Sequence, residues 1–440
     1  MIVPEERFLW VSALTLVPAA VTAALLPTLA GLFPLVVVAL VALALVDIIL
    51  VVRLARSLSV EASEDLRFSC GRSATLFLLL KQRNGQKSRV RVGLALPEGM
   101  STDQSEWRGS LDQAKTQLQW PLSASRRGEY HLGPVSVRLI SPLCFWGRQV
   151  VCPIEAEAAV YPNLAGERKA LAAFFLNRGV SGMHQLRQVG QGREFEKVRD
   201  YLAGDSLGDI HWKATAKRRQ LVTKEFQIER TQRIFICVDS SRLSARQGGA
   251  GEEPLLERFI GAALTLGLAA ERQGDLCGLA TFSDQLQTLV RFGSGKAHYG
   301  VLRDALYRLK TADVSPDFRE LAANLGLHLR RRALIMLLTN LDDPALAEDF
   351  LQHFTPLAAR HLVVVAMPRP EPARSLFTGP AVTAQAEIYQ RLGGHIIWNS
   401  LQELEKKLRQ KNVGFALIER DQLAIELVSR YLDIKRRQIL

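Results

Sequence analysis

At 440 residues the chain is too long for one ordinary core, and its length predicts two folded domains plus additional segments. Hydrophobic residues make up 48% and charged residues 23% of the chain, a balance that excludes an intrinsically disordered protein. The formal net charge of +12 favours an anionic partner, and five cysteines without regular spacing exclude a disulfide framework and indicate a reducing compartment.

Two apolar stretches near the N-terminus, 8–26 and 32–52, each approach the roughly 20 residues that a helix needs to cross a bilayer. We expect them to form a transmembrane hairpin. Arg7 precedes the first stretch and Arg53 and Arg56 follow the second, so the positive-inside bias places both ends in the cytoplasm. The alternative, a cleaved signal peptide, is disfavoured because a basic n-region is missing and a second span follows at once.

One acidic residue, Asp47, lies near the cytoplasmic end of the second apolar stretch. A carboxylate inside a membrane span is costly unless it reaches the interface or finds a partner. We therefore expect Asp47 to reach the interface or to pair with Arg53.

Residues 57–162 contain short strand-like runs separated by Gly, Pro, Asn and Ser, and they predict a small antiparallel sandwich or barrel. The clearest runs are 74–80, 89–96 and 135–140. The segment that follows, 163–191, contains an apolar patch and Gly-rich sequence, and we expect it to be a hinge.

The run from Gly192 to Glu229 concentrates ionisable and aromatic residues between turn signals. Ser206 and Asp209 have the spacing of a capping box, which predicts a helix that begins near Leu207. An alternating pattern beyond this helix predicts a strand with one half-buried face. That face consists of Val222, Lys224, Phe226 and Ile228.

The spacing within this run is similar to the signature of the bacterial membrane proteins called domain of unknown function 58. The matching residues are Gly192, Glu194, Phe195, Arg199, Tyr201, Gly204, Asp205, Ile210, His211, Trp212, Lys213, Ala216 and Lys217. The resemblance implies a membrane hairpin, a β-rich region, the signature and a von Willebrand type A-like domain. It also implies association with a MoxR-type AAA+ ATPase and transglutaminase-like proteins.

A second match to this family lies at 126–134, followed by Ser141-Pro142-Leu143-Cys144. The family usually has Asp-Pro-Phe-Gly at the latter place. We therefore expect no role for a carboxylate at this turn.

After the signature, four continuous apolar runs alternate with helical patterns. The runs are 234–238, 276–282, 333–338 and 362–367. Continuous apolar runs are typical of parallel strands covered on both faces, so the region predicts a doubly wound, mainly parallel sheet. Residues 401–440 show an amphipathic helical pattern and predict a helical tail.

The first of these runs ends at Asp239, at the edge where such sheets bind ligands. Asp239, Ser241 and Asn340 resemble the metal site of von Willebrand type A domains. Leu243 and Pro316 stand where that site needs oxygen ligands, and Asn340 replaces an Asp. A hard cation needs several oxygen ligands, so we expect this site to hold no cofactor. If a residual site binds an ion, the expected ion is magnesium. The nearby carboxylates that would partly compensate are Asp342 and Asp343.

The residues do not support an enzymatic function or a nucleic-acid-binding function. His211 does not share a helix face with Asp209, and neither a nucleophile elbow nor a zinc motif accompanies it. The glycine-rich run 293–296 lacks P-loop spacing. The basic clusters near Lys217 and at 330–332 lack an aromatic stacking series or a DNA-reading fold. We therefore expect neither catalysis nor nucleic-acid binding.

Two interpretations of the signature remain open: a clamp between domains, built from ion pairs and one buried indole, or a docking surface for a partner protein. The candidate partner-binding residues are Glu194, Arg199, Asp200, Tyr201, Gly204, Asp205, His211, Trp212, Lys213, Lys217, Arg218 and Arg219.

The sequence thus predicts a non-enzymatic adaptor, a multi-pass protein of the bacterial inner membrane with most of its chain in the cytoplasm. By resemblance its partners are a MoxR-type AAA+ ATPase, other proteins of the same system and the lipid bilayer, in assembly or remodelling of an envelope or secreted complex. The alternatives are a metal-dependent ligand-binding receptor and a membrane-bound hydrolase. The expected parts are a hairpin (1–56), a β-rich domain (57–162), a linker with the signature (163–230), a von Willebrand A-like domain (231–400) and a helical tail (401–440).

Overall fold

The structure is a computed structural model. It describes residues 1–25, 31–63, 65–82, 88–111, 115–177, 189–202, 205–227, 231–247, 253–376 and 385–437. The chain divides into two compact units, Met1–Asn163 and Leu164–Leu440, and mixes helices with sheets as the sequence predicts. Of the residues singled out above, Gly204 and Ile228 lie outside the described residues.

The first unit opens with a short strand, β1 (Ile2–Pro4), and two long helices, α1 (Glu6–Leu25) and α2 (Leu32–Arg56). Both helices are long and apolar enough to cross a membrane. Large apolar side chains such as Leu14 and Val38 are exposed on them. In water such surface is unfavourable, so it favours association with a membrane.

The remaining strands of this unit form three sheets. They are β2 (Leu58–Ala62), β3 (Leu66–Ser69), β4 (Ala74–Gln82), β5 (Ser88–Leu94), β6 (Met100–Ser101), β7 (Trp107–Leu111), β8 (Lys115–Ala124), β9 (Gly128–His131), β10 (Val135–Ile140), β11 (Trp146–Cys152) and β12 (Glu157–Tyr161). The sheet orders are β1-β11-β10-β5-β7, β2-β4-β8-β6 and β3-β12-β9, with antiparallel pairing except between β3 and β12. One apolar cluster that includes the fully buried Trp120 fills the space between them.

The end of α2 belongs to this β-rich core. Val51, Leu54 and Ala55 are buried, and Val51 and Ala55 join the same apolar cluster as the strands. At the other end of the hairpin, β1 pairs antiparallel with β11, with Ile2 opposite Arg148. The residues before α1 and those after α2 therefore lie in one unit, and a bilayer-crossing hairpin must leave them on the same side.

Asp47 corrects two expectations drawn from the sequence. It does not form the expected ion pair with Arg53; its side chain is fully buried against the β-rich part of its unit. Its carboxylate accepts hydrogen bonds from the hydroxyl of Ser141 (2.5 Å) and from the backbone N–H groups of Leu143 (3.2 Å) and Phe145 (3.3 Å). The turn expected to work without a carboxylate thus receives one from α2, because only tertiary packing brings residues 47 and 141 together.

The second unit begins with α3 (Ala165–Asn177), β13 (Val189–Asp200), α4 (Trp212–Arg218) and β14 (Val222–Gln227). The predicted strand is β14, which pairs antiparallel with β13. The segment expected to be a hinge contains α3, and its Leu171 is buried in the core of this unit. The apolar patch there serves packing of the second unit.

A six-stranded sheet forms the rest of the second unit. Its elements are β15 (Arg233–Asp239), α5 (Leu255–Arg272), β16 (Leu276–Phe282), β17 (Leu286–Gly293), α6 (Gly295–Leu306), α7 (Phe318–His328), β18 (Leu334–Leu338), α8 (Pro344–Ala358), β19 (Leu362–Pro368), α9 (Gln385–Gln410), β20 (Val413–Ile418) and α10 (Leu423–Arg436). The strand order is β17-β16-β15-β18-β19-β20, parallel except for β17 at one edge.

The parallel strands are apolar along their whole length because both faces of the sheet are covered. One apolar cluster unites α5, α6 and α10 with alternate strand residues such as Ile234 and Ile236. A second cluster unites α7, α8 and α9 with the opposite set, such as Phe235 and Cys237. This is the two-sided arrangement that the apolar runs predict.

The predicted helical tail is wrong for its middle part. Residues 413–418 form β20, which pairs parallel with β19 and completes the sheet. The helix after it, α10, is tied to the sheet through Asp275, whose carboxylate accepts from Lys435 Nζ at 2.6 Å and from the hydroxyl of Tyr431. A short strand within a charged, helix-rich stretch is hard to recognise without its sheet neighbours.

Candidate functional site

The signature is held together by a two-pronged ion pair. The Arg199 guanidinium donates to both oxygens of Asp205, at 2.9 and 2.7 Å, and the N–H of Leu202 donates to the same carboxylate at 2.9 Å. These bonds hold the pKa of the Asp205 carboxyl below its usual value, the Arg199 bond being the main cause. The paired arrangement fixes the turn between them in one geometry.

The start of β14 and the residue before it bond to this segment on its other side. Tyr201 N–H donates to Leu221 O (2.9 Å) and His211 N–H donates to Val222 O (2.8 Å). Val222 is fully buried. The segment between β13 and β14 is therefore pinned at both ends.

Two short helical turns follow within the pinned segment. Ser206 accepts from the N–H of Gly208 at 3.3 Å and caps a 3₁₀ turn, Leu207–Asp209. The α-helix itself begins only at Trp212, so the helix predicted from Leu207 is interrupted. At its start, His211 Nδ1 accepts from the N–H of Ala214 at 3.1 Å. His211 is thus an N-cap, a structural task that its position in the sequence does not reveal.

The outer face of this segment is basic and apolar. Trp212 is 67% exposed, which contradicts the buried indole of the clamp interpretation. The exposed cations are Lys213, Lys217, Arg218 and Arg219. In the part of the chain that the structure describes, none of these four pairs with an acidic side chain. We call Trp212 and these four cations the signature patch.

Sequence reasoning missed the apolar border of the signature patch. Leu202, Leu207 and Leu221 are 63%, 72% and 48% exposed. The signal available in the sequence was the presence of leucines within a polar turn region, where they have few apolar neighbours to pack against. Of the other candidates, Asp200 is exposed and Glu194 lies in β13, apart from the turn and helix that carry the patch.

The second candidate site is the carboxyl edge of the six-stranded sheet. Asp239 is fully buried at the end of β15. Its carboxylate accepts from Ser241 N–H (2.8 Å) and from the Thr339 hydroxyl (2.5 Å). Burial raises the pKa of this carboxyl. Both oxygens are thus used inside the protein.

The oxygens that a cation would need are committed elsewhere. Ser241 Oγ accepts from Leu243 N–H (3.3 Å), and Asn340 Oδ1 accepts from Asp342 N–H (3.2 Å). Asp342 pairs with Arg246 (2.5 Å). Two further acids there cap helices: Asp317 accepts from Glu320 N–H and Asp343 from Ala345 N–H.

These residues do not fit a metal ion. One buried carboxylate faces hydroxyl and amide groups that already bond to one another. Within the described ranges, no group of three or more His, Cys, Asp or Glu side chains is placed to hold a metal. Asp342 and Asp343 have partners as well, namely Arg246 and the first turn of α8.

In the comparison with known proteins, the sequence match to a relative covers only part of each protein. The chain is 29% identical over 122 residues to the uncharacterized protein YeaD of Bacillus subtilis, a match that covers 28% of this chain and 30% of YeaD. The chain thus spans less than a third of that relative.

Solved structures with similar arrangements include BatB from Bacteroides thetaiotaomicron, at 12% identity and a TM-score of 0.32, covering 47% of this chain and 99% of BatB. An aerotolerance-related membrane protein from Bacteroides fragilis has 13% identity and a TM-score of 0.28, covering 46% of this chain and 98% of that protein. The SpRpn10 VWA domain has 10% identity and a TM-score of 0.28, covering 46% and 95%.

A family model covers the signature from residue 197 onward and most of the sheet. It is described as "Protein of unknown function DUF58" and matches residues 197–387. The family resemblance predicted from the signature is therefore confirmed: this part of the chain matches the model of that family.

Proposed function

We propose that the protein is a non-enzymatic adaptor of the bacterial inner membrane that docks a partner protein on the signature patch. By family resemblance the partner is a MoxR-type AAA+ ATPase that acts with the adaptor in assembling or remodelling an envelope or secreted complex. The observation that carries the proposal is the exposure of Trp212 beside four cations that have no acidic partner among the described residues.

The contrast between inner and outer residues supports docking over clamping. Arg199, Asp205 and His211 bond within the segment and give it a fixed shape. The side chains of Trp212 and Lys217 are exposed and, among the described residues, form no comparable bonds within the segment. A rigid support that presents an aromatic side chain and unpaired charge is typical of protein interfaces, where Trp and Arg contribute much of the affinity.

The charges make the proposal testable by kinetics. Steering by surface charge acts mainly on the association rate and weakens with salt, whereas a desolvated aromatic anchor controls dissociation. We expect the combined Lys217→Glu, Arg218→Glu and Arg219→Glu variant to stay folded, to capture the ATPase more slowly and to show a flatter salt dependence. The measurement is binding of detergent-solubilised full-length protein to the immobilised ATPase over a range of salt concentrations.

A matched control exists in the same unit. The combined Arg330→Glu, Arg331→Glu and Arg332→Glu variant changes the net charge equally, at residues that are exposed and lie outside the signature. It should leave the association rate and the salt slope close to those of the native protein. Equal behaviour of the two triple variants would exclude the signature patch as the docking surface.

The membrane topology is part of the proposal. Pairing of β1 with β11 supports N- and C-terminal flanks on one side of the bilayer, and Arg7, Arg53 and Arg56 favour the cytoplasm. A periplasm-active reporter fused to the C-terminus should be inactive, and a cytoplasm-active reporter at the same place should be active. The opposite result would remove the cytoplasmic partner from consideration.

The two alternatives have less support from the geometry. A metal-dependent receptor needs free oxygen ligands, and those around Asp239 are engaged. A hydrolase that used His211 as a base would have to free its Nδ1 from the helix cap. The adaptor proposal requires no change in the hydrogen bonds of Asp239 or His211.

A further inference from the structure

The six-stranded sheet has a basic edge that lies apart from the signature patch. Strands β18, β19 and β20 are neighbours and start in register, with Leu334 opposite Leu362 and Val363 opposite Val413. The residues just before these strands therefore meet at the amino edge of the sheet. They include Arg330, Arg331, Arg332, Arg360 and Lys411.

All five of these cations are exposed. Among the residues with described positions, none of the five pairs with an acidic side chain. The acid at the start of β16, Asp275, is fully buried and already bonded to Lys435. The positive charge of this edge is thus not neutralised within the described part of the unit.

The opposite edge of the sheet differs in charge. It carries Asp239, Asp284, Asp317, Asp342, Asp343 and Glu419, two of which pair with arginines. The unit therefore has a basic amino edge, and a carboxyl edge on which acids and arginines occur together. Such an asymmetry orients a tethered domain near a charged surface.

An apolar side chain accompanies the cations. Leu327 is 74% exposed, three residues before Arg330. An exposed leucine among arginines is the composition of protein faces that rest on anionic membranes, where cations contact phosphates and the apolar side chain enters the headgroup layer. Within the same edge, aromatic side chains that would stack on nucleic-acid bases do not accompany the five cations in the described sequence.

We propose that this basic amino edge rests on the anionic lipid surface of the membrane that carries the hairpin. The inference rests on the membrane tether of the proposed function, since tethering keeps the edge at high local concentration near the bilayer. The occupant is the phosphate-bearing headgroup layer of an anionic bilayer. Bound in this way, the unit presents its carboxyl edge, with Asp239 and Asn340, away from the lipid.

The test uses the full-length chain in lipid nanodiscs of phosphatidylcholine alone or mixed with phosphatidylglycerol. Leu327→Cys carries an environment-sensitive dye, and the native-sequence chain taken through the same labelling gives the background from the natural cysteines. We expect brighter, blue-shifted emission in the anionic discs only. High salt should reverse the change, because surface charges are screened.

Two triple variants separate this edge from the signature patch. Each Lys or Arg near an anionic surface strengthens binding by about fivefold, so Arg330→Glu, Arg331→Glu and Arg332→Glu together should reduce the bound fraction by roughly tenfold or more. The reversal of Lys217, Arg218 and Arg219 should leave the emission unchanged. A circular dichroism spectrum like that of the native chain establishes that each variant is folded.

The outcomes distinguish this inference from the proposed function. Chains that fail to co-elute with discs of either composition would contradict the membrane hairpin. Chains that co-elute with both kinds of disc, with equal dye emission, would overturn the lipid-facing edge while leaving the hairpin intact. Emission that ignores lipid charge but responds to the purified ATPase would also overturn it, and would make this edge a protein interface.

Discussion

The carboxylate of Asp47 in helix α2 accepts a hydrogen bond from the hydroxyl of Ser141 at 2.5 Å, across 94 residues of sequence. The backbone N–H groups of Leu143 and Phe145, in the turn that follows Ser141, donate two more hydrogen bonds to this carboxylate. Trp146 Nε1 also donates to Ala44 O at 3.1 Å, one turn of helix away. The second apolar helix is therefore joined to the β-rich part of its own unit by polar bonds as well as by apolar packing.

Replacing Asp47 should weaken this joint. Asp47→Ala leaves the hydroxyl of Ser141 and the N–H groups of Leu143 and Phe145 without their acceptor, and an unsatisfied buried donor costs about 1–3 kcal/mol. We expect the melting temperature of the detergent-solubilised Asp47→Ala chain to be several degrees lower than that of the native chain. Ser141→Ala removes one donor and keeps the carboxylate with its backbone partners, so it should have a smaller effect. Equal melting of all three proteins would contradict this role of Asp47.

The ion pair between Arg199 and Asp205 should make the signature sensitive to acid. The pKa of Asp205 is lower in the folded protein than in the unfolded chain, so the carboxylate stabilises the segment above the unfolded value of about 4. That stabilisation is lost as the pH falls through the folded pKa. Hydrogen exchange of residues 199–224 should therefore speed up in this acidic window.

The control for this prediction is the neighbouring carboxylate. Asp205→Asn should remove the acid-dependent change and raise exchange at neutral pH. Asp200→Asn alters an exposed side chain and should leave the pH profile as it is. An identical profile in all three proteins would show that Asp205 does not govern the stability of the segment.

The exposure of Trp212 separates its effect on binding from its effect on folding. An exposed side chain contributes little to stability, so Trp212→Ala should change the free energy of unfolding by about 0.5 kcal/mol or less. The partner should nevertheless dissociate faster, because an interfacial tryptophan is lost. Thermal melts and dissociation rates measured on the same preparation test both parts. A large drop in melting temperature would show that the indole is needed for packing.

A pair of adjacent glycines in α9 offers a matched test of close packing. A Cβ at Gly394 would lie 1.9 Å from the carbonyl oxygen of Pro372, whereas a Cβ at Gly393 meets nothing within 4 Å. Gly394→Ala must displace the loop or the helix and should cost about 1–3 kcal/mol. Gly393→Ala should be neutral or stabilising by up to about 1 kcal/mol, since alanine favours helix. Thermal unfolding of the two variants should therefore shift in opposite directions or by clearly different amounts.

The engaged oxygens around Asp239 predict weak affinity for divalent cations. Calorimetric titration of the full-length protein with magnesium or manganese should give no tight, saturable binding, because a hard cation would have to displace the bonds from Ser241 and Thr339. Asp239→Ala should leave the titration unchanged. A tight isotherm that this substitution abolishes would restore the receptor alternative.

The sequence by itself determined the features that depend on local pattern. Continuous apolar runs predicted the strands that became β15, β16, β18 and β19, because parallel strands covered on both faces have no polar side to alternate with. The two long apolar stretches predicted α1 and α2. The spacing of Arg199, Asp205 and Trp212 predicted a family resemblance that the match over residues 197–387 confirms.

Only the tertiary structure decided where residues distant in sequence meet and which side chains remain exposed. Local pattern could not predict that β20 would join the sheet, since a short strand is stabilised by its neighbour β19. Local pattern also could not predict that Asp47 would bond to the 141–145 turn. It could not predict that Trp212 would be exposed, because aromatic residues are so often buried. Burial and pairing are properties of the assembled core, and residues such as Asp342 and Arg246 acquire their partners only when separate loops fold to the same edge.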